Sequence, residues 1–541
     1  MASKYFVNPF LILLKQSLKD GSLSKVFPKR IRLPERDFPP SFIVKKENFF
    51  CGGYFVCYNQ QIAIEDVVKA CQTSRWKYLA NLIADFLIIY ADYSSKEIFL
   101  LTGQLGGFPC YFSITDEKLI LSTDFGIVKD NLFSLTLNQG SVFDYLYFNY
   151  VTTLTDETII AEITQVPPAT LLRIDRNFSF TLTPLIDLER FLGLSQESYK
   201  SLAKFTDDLV VNLEKITSEY LQTLGQLDFG ADLSSGFDSS LVCYVLKKVS
   251  KKNFPCYSLV SRLSLGDTNP EVVQEFARRH KLKLNFLNAG PFYPFAQNHD
   301  LNWTTNHFYP GDHGQELRFR LFSLGKKDKI KAIFHGYGGD ELYTAFLMDE
   351  SRRFATQKEY FYAVMGLKWG IDKIFTKEGI EILLDRKRFA KKKFYPSIIA
   401  PSAIAERFYY FPIHWETGIW GVSPMSDLRL IQFARRIPHR GRKVPSKQEI
   451  WQHRKDIFVP SQFVEKGDYQ RQIGQFLTKK KDWVIPTLEN SVLAQRGWIK
   501  AEEIIDDVRQ GNVETYLKEP LILLHNVLRL EYFLQHNKVK T

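Results

Sequence analysis

Between Leu202 and His335 the apolar residues change period repeatedly, from helical spacing to short strand-like runs and back, and this alternation restricts the fold more than any other feature. Leu209, Leu213, Ile216 and Tyr220 share one face of a helix predicted over Leu202 to Leu224. A strand, Gln226 to Leu233, then delivers Leu233-Ser234-Ser235-Gly236-Phe237-Asp238-Ser239-Ser240, and Asp238 opens a helix that runs through Leu246. There follow a buried strand over Cys256 to Val260, a helix over Pro270 to His280, a strand over Leu284 to Leu287 and a helix over Gln315 to Leu324. The last strand, Lys331 to His335, delivers Phe334-His335-Gly336-Tyr337-Gly338-Gly339-Asp340-Glu341. Such alternation predicts an α/β fold with a doubly wound parallel sheet, whose ligands sit outside the carboxyl ends of the strands. Both small-residue segments fall at such ends.

A small-residue loop between a strand and a helix lets backbone N–H groups and hydroxyls close on a phosphate at the helix N-terminus. A carboxylate inside that cradle makes chemical sense when a divalent cation shares it. Asp238 and Asp340 are therefore candidate ligands of one Mg²⁺ that also holds phosphate oxygens. No G-x-x-x-x-G-K-[ST] occurs, so γ-phosphate transfer of the kinase type is not indicated. The two segments therefore suit a nucleotide-activating enzyme that uses Mg²⁺.

Ser234 to Ser239 resembles the pyrophosphatase-type loop S-G-G-x-D-S of the asparagine synthetase superfamily, and Gly336 to Glu341 resembles that family's second signature, G-x-G-x-D-E. Ser235 stands where glycine is usual, adding a hydroxyl and removing some backbone freedom. The resemblance implies a PP-loop (adenine nucleotide α-hydrolase-like) synthetase domain over 200–541 with a helical C-terminal region. It assigns Ser234, Ser235, Gly236, Asp238 and Ser239 to ATP and pyrophosphate, and Leu233, Leu259 and Gly336 to the nucleotide pocket.

The same resemblance extends to the first half, where strand-like runs (Tyr54 to Tyr58, Phe86 to Ala91, Ile98 to Thr102, Leu119 to Ser122) are separated by turns. Asp85-Phe86, Gly106 to Tyr111 and Leu121 to Asp124 follow, in order, three segments of the glutaminase half of asparagine synthetases. Val166-Pro167-Pro168-Ala169 resembles the l-p-P-G that closes it. The implied unit is an Ntn-type (αββα) glutaminase-like domain over 1–195, separated from the second by a linker near Leu192 to Ser201. Glutamine-dependent members use a cysteine directly after the initiator methionine. This chain begins Met1-Ala2-Ser3, and Cys51-Gly52-Gly53 only superficially resembles a C-G-I start, so Cys51 is expected to be a buried structural thiol. The domain is read as degenerate, with no ammonia made from glutamine.

The amine must then come from the substrate. Two branches of the superfamily work this way: β-lactam synthetases, which close a ring within an amino-acid derivative, and lasso-peptide cyclases, which join a peptide's N-terminal amine to an Asp or Glu side chain. Tyr337 stands where ammonia-using members carry an acid and where β-lactam synthetases carry the tyrosine that deprotonates the amine. A phenol needs a partner to act as base near neutral pH, and Glu378 and Glu381 are the candidates in sequence. The C-terminal third points to the cyclases. Ser423 to Asp427 resembles the family's P-F-L-D, and Arg454-Lys455-Asp456-Ile457-Phe458 precedes a basic segment, as it does there. Lys466 is the candidate for stabilising charge on the adenylate and pyrophosphate, although the usual R-x-K spacing is altered.

The remaining composition narrows partners and compartment. The 541 residues, 45% hydrophobic and 24% charged, suit two or three folded domains. No apolar run is long enough for a membrane span, and Tyr5 to Leu14 lacks the features of a signal peptide. The six cysteines form no CxxC pair, so reduced thiols and a cytoplasmic location are expected. The net charge of +11 is spread over scattered runs without an aromatic ladder, which disfavours nucleic acid. The expected function is an ATP-dependent, AMP-forming carbon–nitrogen ligase that closes a macrolactam in a ribosomal lasso-type peptide. Its partners would be a peptide or amino-acid-derived carboxylate and a precursor-peptide protease or leader-recognition protein. A small-molecule ligase of β-lactam synthetase type, an ammonia-fed asparagine synthetase and an inactive binding scaffold remain open.

Overall fold

The computed structural model describes residues 11–15, 38–115, 118–147, 155–186, 197–260, 269–296, 315–339, 342, 371–383, 401–438, 445–463, 474–516 and 520–540. The described residues of the first half hold ten strands: β1 (Leu11–Lys15), β2 (Ser41–Lys45), β3 (Phe49–Cys57), β4 (Ala84–Asp92), β5 (Glu97–Thr102), β6 (Tyr111–Thr115), β7 (Lys118–Ser122), β8 (Thr164–Gln165), β9 (Thr170–Ile174) and β10 (Phe180–Pro184). They form two sheets, ordered β10-β9-β5-β4-β3-β2 and β1-β7-β6-β8, and every pairing within them is antiparallel.

Side-chain alternation sorts these strands into layers. On β3 and β4, Cys51, Phe55, Phe86 and Ile88 pack with Val67, Cys71 and Leu79 of helices α1 (Ile64–Gln72) and α2 (Trp76–Ala80). Their neighbours Tyr54, Val56, Leu87 and Ile89 turn the other way and share a core with Phe112, Leu119 and Leu121 of the smaller sheet. The opposite face of that sheet, Tyr111 and Ile120, meets helices α3 (Phe125–Asp130) and α4 (Gln139–Tyr147) through Phe125, Val128, Val142 and Phe143. The layers thus run helix, sheet, sheet, helix.

The described residues of the second half are built on five parallel strands, β11 (Phe229–Asp232), β12 (Pro255–Val260), β13 (Lys283–Asn288), β14 (Ala332–Phe334) and β15 (Trp420–Val422), in the order β13-β12-β11-β14-β15. Helix α5 (Leu202–Leu224) begins at a Ser201 cap and buries Leu209, Leu213, Ile216 and Tyr220. Helices α6 (Phe237–Ser250), α7 (Pro270–Arg279) and α8 (Gln315–Lys327) connect the strands as the alternation predicted. The three-residue β15, which follows helix α10 (Pro401–Thr417), was not legible in the sequence; α9 (Lys377–Leu383) lies between α8 and α10. Strand order reverses between β11 and β14, and an open α/β sheet binds ligands in such a crevice. No described helix is long and apolar enough to cross a membrane.

A buried polar cluster joins the two halves. Asp85 on β4 accepts hydrogen bonds from Tyr58 Oη (2.8 Å) and Trp420 Nε1 (3.1 Å) and is ion-paired with Arg407 of α10. All four residues are buried. A Cβ at Gly107 would meet Asp85 Oδ1 at 2.6 Å and the Trp420 ring at 2.8 Å, so only glycine fits beside the carboxylate. Tyr58 in turn stacks on Tyr220 of α5, with ring centroids 4.1 Å apart.

Candidate active site

β11 ends at Asp232, and the chain turns through Leu233, Ser234 and Ser235 into Gly236, the N-cap of α6. Leu233 is buried and its N–H donates to Tyr257 O at 2.9 Å, which extends the strand by one bond. Two serines brace the turn. Ser239 Oγ accepts from Ser234 N at 3.0 Å and lies 2.8 Å from Ser234 Oγ, which accepts from Gly236 N at 3.1 Å. Such bonds hold a small-residue loop in one shape and leave the first turn of α6 facing the crevice.

The second signature lies directly against the first. β14 is hydrogen-bonded beside β11, with Ala231 opposite Phe334. A Cβ at Gly336 would fall 2.5 Å from Ser239 N, and one at Gly339 would fall 2.3 Å from Asp238 Cγ. Gly338 adopts φ +90° and packs on Ser426, a conformation that a side chain would strain. Gly336 and Gly339 here serve close approach: the first lets the second loop lie on the opening turn of α6, and the other lets it lie on the Asp238 carboxylate.

Two residues missed in the sequence hold this arrangement. Lys447, at the start of helix α11 (Lys447–Trp451), is ion-paired with Asp238 Oδ2. A capping box between Ser446 and Glu449 fixes the turn that presents it. Gln462 Nε2 donates to Ser240 Oγ at 2.8 Å and to Ser235 O at 3.3 Å, from a buried position just before residues 464–473. A capping sequence was the available signal for Lys447; nothing local marks Gln462.

Beside the loop, a second charged group surrounds Tyr337. Arg318 of α8 donates to Tyr337 Oη at 2.5 Å and is ion-paired with Asp232 Oδ2. Burial alone would raise the Asp232 carboxyl, but the Arg318 guanidinium and the neighbouring His335 hold it well below the usual carboxylate range. Burial opposes the Arg318 charge in the same way, and Asp232 overcomes it, holding the guanidinium protonated. Glu378 and Glu381, the candidate partners from sequence, lie exposed on α9, and Arg318 is a partner seen on the phenol.

The structure thus brings Ser234, Ser235, Gly236, Asp238, Ser239, Gly336 and Tyr337 together at one crevice. Leu233 is buried beneath it, and Leu259 is half-buried on the adjoining β12. Asp340 and Lys466 lie outside the described residues. Among described residues no group of three or more His, Cys, Asp or Glu could hold a metal ion. The donors that are present, one carboxylate and serine hydroxyls, fit an oxygen-preferring cation shared with phosphate. Cys51 is buried in the middle of β3, and its hydrogen bond together with burial raises the Cys71 thiol well above its ordinary value.

Residues 220–395 match the asparagine synthase family model. No curated protein matches the chain. Among solved structures, glutamine phosphoribosylpyrophosphate (PRPP) amidotransferase from B. subtilis, complexed with ADP and GMP, matches at 9% identity with a TM-score of 0.18, over 40% of this chain and 47% of that one. This chain therefore spans about half the length of that protein. The segment that carries both signatures is asparagine synthase-like, which supports a place for it in the asparagine synthetase superfamily.

Proposed function

We propose that this chain is an ATP-dependent amide-forming ligase that activates a substrate carboxylate as an acyl-adenylate and closes it with an amine of the same substrate. The observation that carries the reading is the contact of the two signatures at the β11/β14 crevice, within a segment that matches the asparagine synthase family. Ser234, Ser235, Gly236 and Ser239 hold the pyrophosphate oxygens of ATP, and Leu233, Leu259 and Gly336 border the nucleotide. Asp238, with Asp340, holds Mg²⁺, which when bound neutralises phosphate charge. Lys447 is a further cation beside Asp238, able to follow the charge that develops on pyrophosphate. Lys466 follows the Gln462 anchor closely in sequence, which supports its assignment to the same charge. A carboxylate oxygen attacks the α-phosphorus and pyrophosphate leaves. The amine then attacks the acyl carbon, AMP leaves, and Tyr337 takes the amine's proton.

The residues 1–195 form a glutaminase-like scaffold in this reading, and 200–541 form the synthetase. Two observations support a scaffold. Cys51 is locked inside a nine-residue strand. Asp85, in the segment that resembles the glutaminase half, commits its carboxylate to Arg407, Trp420 and Tyr58. The product class is a macrolactam in a ribosomal lasso-type peptide, with a leader-recognition protein or protease as partner. A small-molecule ligase of β-lactam synthetase type is the second reading, favoured by Tyr337 at the crevice.

ATP–pyrophosphate exchange with Mg²⁺ tests the proposal, using aspartate, a carboxyethyl-arginine-type amino acid and linear peptides with an internal Asp or Glu. Exchange with peptide alone supports the cyclase, and exchange with a small amino acid supports the second reading. No exchange with any of them, together with unchanged ATP binding by Asp238→Ala, would refute both.

A further inference from the structure

Asp232 is an unexpected residue at the end of a central strand. It sits between the apolar Ala231 and Leu233, with only 15% of its side chain exposed, and a carboxylate there is costly to desolvate. Arg318, 17% exposed, lies against it and spends a second N–H on the phenol oxygen of Tyr337. Such a pair gives little net stability compared with apolar residues of the same shape. Its position suggests a different use. The guanidinium has no lone pair and can only donate. The phenol's own hydrogen therefore points away from Arg318, and a guanidinium donating at this distance stabilises negative charge on the oxygen.

Charged and titratable groups face this phenol from several elements. Asp232 comes from β11 and Arg318 from α8. Tyr410 comes from α10, with the Arg318 guanidinium 5.6 Å from its ring centroid. His335 is on the phenol's own segment, its ring centroid 5.5 Å from that of Tyr337 and its Nδ1 3.5 Å from Asp232 Oδ2. His414 of α10 lies behind His335 across Gly421.

We propose that Arg318 is a positioning residue for amide closure: it orients Tyr337 and supports its negative charge, while Asp232 holds the guanidinium in place and tempers its charge. The inference rests on the ligase reading above and deepens it. The substrate ammonium gives one proton to the Tyr337 oxygen. The freed nitrogen forms the C–N bond as the acyl–oxygen bond to AMP breaks, with AMP taking the electron pair and the nitrogen's second proton passing by the departing phosphate to solvent. The phenol then returns its proton to solvent. Adenylation precedes all of this and makes no demand on Arg318.

The test compares Arg318→Gln, Arg318→Lys and Asp232→Asn with the wild type, all as full chains whose thermal midpoints confirm folding. Pyrophosphate exchange reports adenylation, and the pH profile of kcat/KM for amide formation reports the base. For Arg318→Gln, kcat for closure falls on the order of a hundredfold with exchange retained, and the acidic limb moves about one unit to higher pH. Asp232→Asn moves the limb the other way, because the guanidinium charge is no longer offset. Arg318→Lys keeps the cation and holds the limb near its wild-type position while lowering kcat. Equal loss of exchange and closure in Arg318→Gln, or limbs that move together or not at all, would overturn the role of Arg318. Absence of exchange by the wild type would overturn the ligase reading itself, and the inference with it.

Discussion

Gly339 lies so close to Asp238 that an added methyl would fall 2.3 Å from the carboxylate carbon. The contact joins the ends of two neighbouring parallel strands and leaves the position of Asp238 dependent on the absence of a side chain across from it. Gly339→Ala is expected to fold, since the strain is confined to one loop, at a cost of about 1–3 kcal/mol. Its ATP-dependent activity should fall roughly a hundredfold, as reacting groups do when displaced by about 1 Å. Steady-state kinetics beside a thermal melt would check this. An active Gly339→Ala would mean that Asp238 need not hold its place.

Lys447 and Asp238 are 209 residues apart in sequence and meet as an ion pair. If Lys447 serves the phosphates, Lys447→Met should lower kcat on the order of a hundredfold or more. A double-mutant cycle with Asp238→Asn, read on stability without ATP, should give a coupling of about 1 kcal/mol, because both groups are partly exposed. Unchanged kcat would reduce the pair to a structural bridge.

The Asp85–Arg407 pair spans the two halves and is almost wholly buried. Arg407→Met leaves a buried carboxylate without its cation and should destabilise the protein by about 3–5 kcal/mol. Asp85→Asn combined with Arg407→Met should recover much of that loss. Chemical denaturation of the three variants measures it, and additive effects of the two substitutions would contradict the coupling.

Much of this was legible beforehand, and the exceptions have physical reasons. The helix expected over 202–224 has those limits, because Ser201 caps one end and Gly225, at φ +60°, closes the other. The first signature and Gly336 to Gly339 of the second stand where the strand–helix alternation put them, at the carboxyl ends of β11 and β14. The strand expected over Gln226 to Leu233 is shorter, Phe229–Asp232, since pairing with β12 and β14 sets its limits rather than apolar pattern. β15 has three residues, too few to show any period. Arg318, Lys447, Gln462 and the Asp85–Arg407 pair were missed because each draws its meaning from a partner distant in sequence. Arg407, for example, meets Asp85 across 322 positions.

Asp124 offers a test by pH. It caps α3, accepting from Gly126 N at 2.7 Å and Ile127 N at 3.3 Å, yet burial outweighs these bonds and pushes its carboxyl up to about 6. A carboxyl raised on folding contributes most below its unfolded value, near 3.9, and loses that contribution as pH rises through about 6. Asp124→Asn keeps the cap and removes the charge, so its melting temperature relative to wild type should climb between pH 4 and 7. A difference that stays flat over that range would show that the carboxylate is well solvated.

The account rests most heavily on carboxylate adenylation, and oxygen-18 carried by the substrate carboxylate tests that step most directly. With the substrate found by exchange, labelled at its reacting carboxyl and turned over with ATP and Mg²⁺, one label should appear in AMP, seen by mass spectrometry or as a shifted ³¹P resonance. Label in inorganic phosphate, with ADP as the nucleotide product, would mean an acyl-phosphate route and would contradict the assignment of the β11/β14 crevice as an adenylating site.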